Sequence, residues 1–131
     1  MNGDGREESP DRTRAGHAAR NKALLERLTE LGVRLEEPRL IDWFFWARDQ
    51  STAHAVAEGL TNKGMTQVVT SPPREGHALW SAQGQMRMSP TLAGSEGMTD
   101  ALLALTQPLG AEYDGWGTAV DETATQNETS N

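Results

Sequence analysis

The chain has 131 residues, the size of one ordinary domain, and it contains no cysteine. The absence of cysteine excludes a disulfide framework, a thiolate metal site and cysteine catalysis. The formal net charge is −7, and most of the imbalance falls after residue 50, where 3 basic and 9 acidic side chains stand. Such a surface repels phosphate backbones and attracts basic partners, so it favours a protein partner over nucleic acid.

Both ends of the chain differ in composition from its middle. Residues 1–16 and 121–131 are polar and lack periodic apolar side chains, which predicts disordered tails around one domain at residues 17–120. The apolar stretch at residues 43–47 is far too short to span a membrane, and no signal-peptide core is visible. We therefore expect a cytoplasmic protein without membrane association.

An amphipathic helix begins the predicted domain, at residues 18–31. One apolar stripe at helical spacing consists of Leu24, Leu25, Leu28 and Leu31. Gly32 follows the last leucine and can adopt the left-handed conformation that ends a helix. The pattern predicts a helix with one buried side and a solvated side of charged residues.

The strongest strand signal lies at residues 40–47, which contain four of the seven aromatic side chains. Alternation places Trp43 and Phe45 on one face of this strand and Phe44 and Trp46 on the other. We expect the strand to be central in a sheet and covered on at least one face. Aromatic side chains on a face without helices could contact a partner.

The rest of the domain alternates helices with strands. Ser51 or Thr52 is the expected N-cap of a second helix. Further elements are predicted as strands at residues 65–70, 77–88 and 111–116 and a helix that starts at Ser89-Pro90 and is clearest at residues 98–106. After the first helix the order is β-α-β-β-α-β, which predicts an α+β ferredoxin-like fold, a four-stranded antiparallel sheet with two helices on one face.

Candidate catalytic and metal-binding residues are few. The three histidines are His17, His54 and His77, and they fall on three different predicted segments. His54 and Glu58 have the i, i+4 spacing that can hold a metal on a helix, but no motif supplies further ligands. Phosphate-binding glycine loops and nucleophile motifs are also absent from the sequence. We predict no catalytic residue, no metal, no cofactor and no enzymatic activity.

The most distinctive segment lies near the C-terminus, and its candidate site residues are Glu112, Tyr113, Asp114, Gly115 and Trp116. Asp114-Gly115 is a turn dipeptide. Tyr113 and Trp116 flank it, and each has an apolar body with a polar tip. Two interpretations stay open: the aromatics fasten the last strand to the sheet, or the segment contacts a partner directly.

The segment EYDGWGT resembles the C-terminal signature of the RraB family, protein regulators of ribonuclease E. The stretch LLERLTELGVRLEEPRLIDWFFWA is similar to the family's entry helix and aromatic first strand, and the likeness covers about residues 22–120. The resemblance implies a ferredoxin-like fold and a non-catalytic protein that binds and inhibits a ribonuclease E-type endoribonuclease. Well-known members end in a strongly acidic tail, whereas residues 121–131 hold three acidic residues.

Two alternatives to the ribonuclease partner remain at this point. The domain could be an RNA-binding module that stacks bases on sheet aromatics, or another protein-interaction module with no ribonuclease partner. The three basic residues after position 50 are too few for the electrostatic footprint of a nucleic-acid site. The sequence does not indicate an oligomeric state.

Overall fold

The computed structural model describes residues 13–120. They form an α+β structure with one four-stranded sheet. In chain order the elements are α1 Arg14–Glu30, β1 Arg39–Ala47, α2 Gln50–Asn62, β2 Thr66–Ser71, β3 Trp80–Met88, α3 Pro90–Ala93, α4 Glu96–Thr106, a 3-10 turn Gln107–Leu109 and β4 Glu112–Gly117.

The sheet has the strand order β2-β3-β1-β4, and every neighbouring pair is antiparallel. β1 pairs with β3 along its whole length, from Arg39 opposite Met88 to Ala47 opposite Trp80. Its other edge pairs with β4. The aromatic strand is therefore central, as its composition predicts.

Helix α1 begins four residues earlier than the leucine pattern predicts. Thr13 is its N-cap, and the Thr13 hydroxyl oxygen accepts a hydrogen bond from the backbone N–H of Gly16 at 3.2 Å. Residues 14–16, which the composition assigned to a tail, are therefore helical. The rest of the two predicted tails, residues 1–12 and 121–131, lies outside the described residues.

The N-cap of α2 is Asp49, so the expectation of Ser51 or Thr52 is wrong. The Asp49 carboxylate accepts a hydrogen bond from the backbone N–H of Thr52 at 2.8 Å. Aspartate is as good a cap as serine, and its place directly before Gln50 sets the start of the helix. The helix predicted after Ser89 is divided into two helices in the structure. The first ends at its C-cap Gly94, and Ser95 is the N-cap of α4.

Strand boundaries shift by one to three residues from the sequence pattern. β2 and β4 each begin and end one residue later than predicted, and β3 begins at Trp80 rather than at residue 77. Alternate residues of β1, namely Ile41, Trp43 and Phe45, are fully buried. They belong to one core cluster with helix side chains: Leu28 of α1, Val56 and Leu60 of α2, and Leu102 of α4. The helices therefore lie on one side of the sheet.

Candidate functional site

The four aromatic residues of β1 divide between the two faces of the sheet. Trp43 and Phe45 face the helices and are 0% and 1% exposed. Phe44 and Trp46 lie on the opposite face, where Phe44 is 37% exposed and Trp46 is half-buried. Two of the four predicted aromatics are therefore core residues, and the other two are accessible to a partner.

The helix-free side of the sheet carries an apolar patch that we call the open face. It consists of Leu40, Phe44, Trp46 and Val69, and Leu40 and Val69 are the most exposed members, at 47% each. Val69 lies opposite Gln83 of β3, and Gln83 in turn lies opposite Phe44. The apolar residues of the open face therefore lie on β1 and β2, with the polar Gln83 of β3 between Phe44 and Val69.

Two glycines of β4 leave one side of Phe44 open. Gly115 is the register partner of Phe44, and Gly117 lies opposite Asp42, the next residue on that face. No atom lies within 4 Å of a Cβ built on Gly115, and a Cβ on Gly117 would come only to 3.9 Å from the Phe44 ring. A side chain from a partner could therefore contact the ring from the β4 side.

Charged groups of both signs border the open face. Asp42 lies next to Phe44, and its Oδ1 accepts a hydrogen bond from Gln85 Nε2 at 2.8 Å. Glu112 lies opposite Trp46 and is exposed. Arg87 lies opposite Leu40, and Arg20 of α1 lines a cavity together with Phe44 and Asp114. The carboxylates of this border suit a basic partner segment.

The dipeptide Asp114-Gly115 lies within strand β4, where it forms a bulge rather than a turn. Phe44 pairs with Gly115 and Phe45 pairs with Tyr113, which leaves Asp114 as the extra residue. Gly115 has φ +145°, which favours glycine. In a regular strand, residues 113 and 116 would face opposite sides, and the extra residue turns both toward the helices.

Tyr113 and Trp116 are accordingly buried, at 1% and 7% exposure. The Tyr113 ring stacks on His17 of α1, with ring centroids 4.4 Å apart and planes 14° apart. The Trp116 indole Nε1 donates a hydrogen bond to Asn21 Oδ1 at 2.8 Å. Both contacts hold α1 against the last strand, so the aromatic pair has a structural position whatever else the segment does.

Burial also determines the chemistry of Tyr113. It raises the pKa of the Tyr113 hydroxyl, and the nearby Asp114 raises it further, while Arg20 opposes the shift. The hydroxyl has no hydrogen-bond partner within residues 13–120. A buried phenol with a raised pKa stays neutral at physiological pH, and its ring serves packing.

Sequence reasoning missed the polar side of this contact. His17 stands at the first position of the predicted domain, before the predicted helix, yet it is 1% exposed, and Asn21 and Thr99 are buried as well. The Arg20 guanidinium donates to His17 Nδ1 at 3.1 Å, which requires the lone pair on that nitrogen. The sequence does contain a signal for this buried helix face, because residues recur at helical spacing: His17, Asn21, Leu24 and Leu28. Two of these four residues are polar, so a search for apolar periodicity does not detect it.

A metal site does not assemble in the part of the chain that the structure describes. No group of three or more His, Asp or Glu side chains lies together within residues 13–120. His54 and Glu58 are both exposed on α2, and the His54 ring meets Trp80 edge-on at 6.5 Å. No helix of residues 13–120 has the length and apolarity needed to cross a membrane.

Comparison with known proteins identifies the class of the chain. The family model RraB, regulator of ribonuclease activity B, matches residues 18–118. That match covers most of the chain and nearly all of the described structure, so the chain belongs to the RraB family, which confirms the resemblance seen in EYDGWGT. The family is described by regulation of a ribonuclease rather than by catalysis. No curated protein matches the chain.

Proposed function

We propose that this protein is a non-catalytic, cytoplasmic regulator that binds a ribonuclease E-type endoribonuclease and inhibits its cleavage of RNA by protein–protein contact. The open face is the binding surface in this proposal. The observation that carries it is an exposed, acid-bordered apolar patch on a member of a family of ribonuclease regulators. We further propose that the fold is ferredoxin-like, which the strand order β2-β3-β1-β4 supports.

Exposure of apolar side chains supports the choice of this face. Leu40, Phe44 and Val69 are each more than a third exposed and occupy one side of one sheet. Several exposed apolar side chains on one water-facing surface are typical of an interaction site, whereas single exposed apolar residues are ordinary. An aromatic side chain with an open flank, such as Phe44, is the kind of residue that becomes the desolvated centre of an interface.

Charge supports a protein partner over RNA on the same face. Asp42 and Glu112 border the aromatics, whereas Arg87 lies opposite Leu40 and the Arg20 guanidinium near Phe44 is bonded to His17. Stacking of bases on Phe44 and Trp46 would bring phosphates toward these carboxylates. A basic protein segment meets the same carboxylates favourably, and the attraction would mainly speed encounter.

The test is inhibition of the host's purified endoribonuclease, measured as cleavage of a reporter RNA at increasing concentrations of this protein. We expect dose-dependent slowing that weakens at high salt. Leu40→Ser should reduce inhibition at least tenfold. Leu92→Ser is the matched control, because Leu92 is also an exposed leucine, at 54%, but lies in α3 on the helical side of the sheet.

Three results would contradict the proposal. One is an enzyme that is neither bound nor slowed at micromolar concentrations of this protein. Another is equal loss of inhibition in Leu40→Ser and Leu92→Ser, which would remove the open face as the contact surface. A third is salt-sensitive retention of the reporter RNA by this protein alone, which would favour the RNA-binding alternative.

A further inference from the structure

A groove with a volume of about 630 Å³ runs along α1 on the side of the molecule away from the open face. One wall is formed by α1, where Ala15, Ala18 and Leu25 contribute small or apolar side chains. The other wall contains Leu35 and Gly94. The volume falls in the usual range of small-molecule sites, which are mostly apolar with a few fixed polar groups.

The fixed polar group here is the Asn21 side chain, whose orientation is determined by Trp116. An indole N–H can only donate a hydrogen bond, so the Asn21 atom that faces it at 2.8 Å must be the carbonyl oxygen Oδ1. The amide nitrogen Nδ2 therefore faces the other way, where it donates to Thr99 Oγ1 at 3.1 Å. Both Asn21 and Thr99 line the groove.

This arrangement leaves two hydrogen-bond donors unused. The Asn21 amide has two hydrogens and Thr99 accepts one of them. The Thr99 hydroxyl accepts a hydrogen bond but donates none within residues 13–120. By contrast, the hydroxyl of Thr29 in the same groove donates to the Leu25 carbonyl at 3.0 Å. Within residues 13–120 neither spare hydrogen meets an acceptor, although Asn21 and Thr99 are only 6% and 2% exposed.

The charges around the groove do not select an ion. Its lining contains the cations Arg14 and Lys22 and the anions Glu26 and Glu96. Arg14 is already bound, by Glu96 at 3.1 Å and by Asp100 at 2.7 Å. A carboxylate ligand would meet Glu26 and Glu96 as well as Lys22, whereas a neutral acceptor meets no opposing charge.

We propose that this groove binds a small, mostly apolar molecule through a neutral carbonyl oxygen. The oxygen accepts hydrogen bonds from Asn21 Nδ2 and the Thr99 hydroxyl, and the apolar part of the molecule lies against Ala18 and Leu25. The site goes beyond the proposed regulatory function, because it lies on the helical side of the sheet. A ligand bound at Asn21 would affect β4 directly, because Asn21 accepts a hydrogen bond from Trp116 of that strand.

The experiment is a titration of the full ¹⁵N-labelled chain with three probes of similar size: N-phenylacetamide, phenylacetate and propylbenzene. The indole N–H signal of Trp116 and the side-chain amide signals of Asn21 report on the groove, and the indole signal of Trp46 reports on the open face. We expect N-phenylacetamide to shift the Trp116 and Asn21 signals saturably and to leave Trp46 unchanged. It should bind about five- to tenfold more tightly than either other probe, as one or two net hydrogen bonds allow.

Two matched variants test the donor directly. Thr99→Val removes the spare hydroxyl and should lower the affinity for N-phenylacetamide about fivefold without changing the affinity for propylbenzene. Thr29→Val removes a hydroxyl whose hydrogen is already used within α1, so it should change neither affinity. Urea unfolding of each variant verifies that it folds.

Several outcomes overturn the inference. These are the absence of a saturable Trp116 shift in the wild-type chain, equal affinities for N-phenylacetamide and propylbenzene, tighter binding of phenylacetate, and equal effects of the two threonine variants. The comparison of probes needs no variant, so it holds even if Thr99→Val does not fold. Loss of ribonuclease inhibition is not a readout here, so failure of this site and failure of the proposed function are distinguishable.

Discussion

Phe44 and Phe45 are neighbours in β1, yet Phe45 is 1% exposed and Phe44 is 37% exposed. Their side chains lie on opposite faces of the sheet because successive residues of a strand alternate. Phe45 meets the Tyr113 ring at 5.3 Å within the core, while Phe44 lies opposite Gly115 on the open face. One dipeptide thus contributes one residue to the core and one to the proposed binding surface, so substitution of each residue should separate stability from binding.

Phe45→Ala should lower the free energy of unfolding by about 3–5 kcal/mol, because it removes a buried ring and leaves a cavity. Phe44→Ala removes the same atoms from a half-open surface and should cost about 1 kcal/mol or less. Urea unfolding followed by far-UV circular dichroism measures both values. In the ribonuclease assay we expect Phe44→Ala to lose inhibition although it stays folded, so the variant with the smaller loss of stability has the larger loss of binding. Similar unfolding free energies for the two variants would contradict the assignment of faces.

Asn21→Ala should lower the free energy of unfolding by about 1–3 kcal/mol, since it leaves the buried Trp116 N–H without its acceptor. The matched control is Lys22→Ala, the next residue of α1, which is exposed and should change stability by less than about 0.5 kcal/mol. The Trp116 indole N–H signal should also move in Asn21→Ala alone. An Asn21 variant as stable as the wild-type chain would show that the contact between α1 and β4 contributes little.

The sequence predicted the sheet better than it predicted the site. Alternation at residues 40–47 correctly places Trp43 and Phe45 together, because a regular strand has period two whatever surrounds it. The β4 bulge breaks that period, and its signal, Asp114-Gly115, is equally compatible with a turn. The faces of Tyr113 and Trp116 therefore could not be derived from spacing alone.

The N-terminal contact was not predictable for a different reason. Apolar periodicity identifies a buried helix face, and the leucines of α1 define only its C-terminal half. Further toward its N-terminus the same face continues with His17 and Asn21, which are buried because Tyr113 and Trp116 offer a ring and a donor. Those partners are 95 or 96 positions away in sequence. Only the tertiary structure shows that the polar residues belong to the core.

Gly115→Ala should lower the free energy of unfolding by about 1–3 kcal/mol through backbone strain alone, since φ +145° disfavours an L side chain. No steric contribution is expected, because no atom lies within 4 Å of the added Cβ. Gly97→Ala is the control: Gly97 also has open space, but it lies in the first turn of α4. That change should stabilise by up to about 1 kcal/mol. A Gly115 variant that unfolds like the wild-type chain would mean that the bulge adapts to alanine.

Asp49 makes the stability of α2 depend on pH. The hydrogen bond from the Thr52 N–H lowers the pKa of the Asp49 carboxyl below its ordinary value of about 4. Because the pKa is lower in the folded chain, the carboxylate stabilises the fold above pH 4, and this contribution is lost as the pH falls below that value. Asp49→Asn keeps a capping oxygen but cannot titrate. Urea unfolding of both chains from pH 7 down to pH 2 should show a shallower loss of stability below about pH 4 in the variant. Parallel curves would mean that the Asp49 cap does not contribute to the acid sensitivity of the fold.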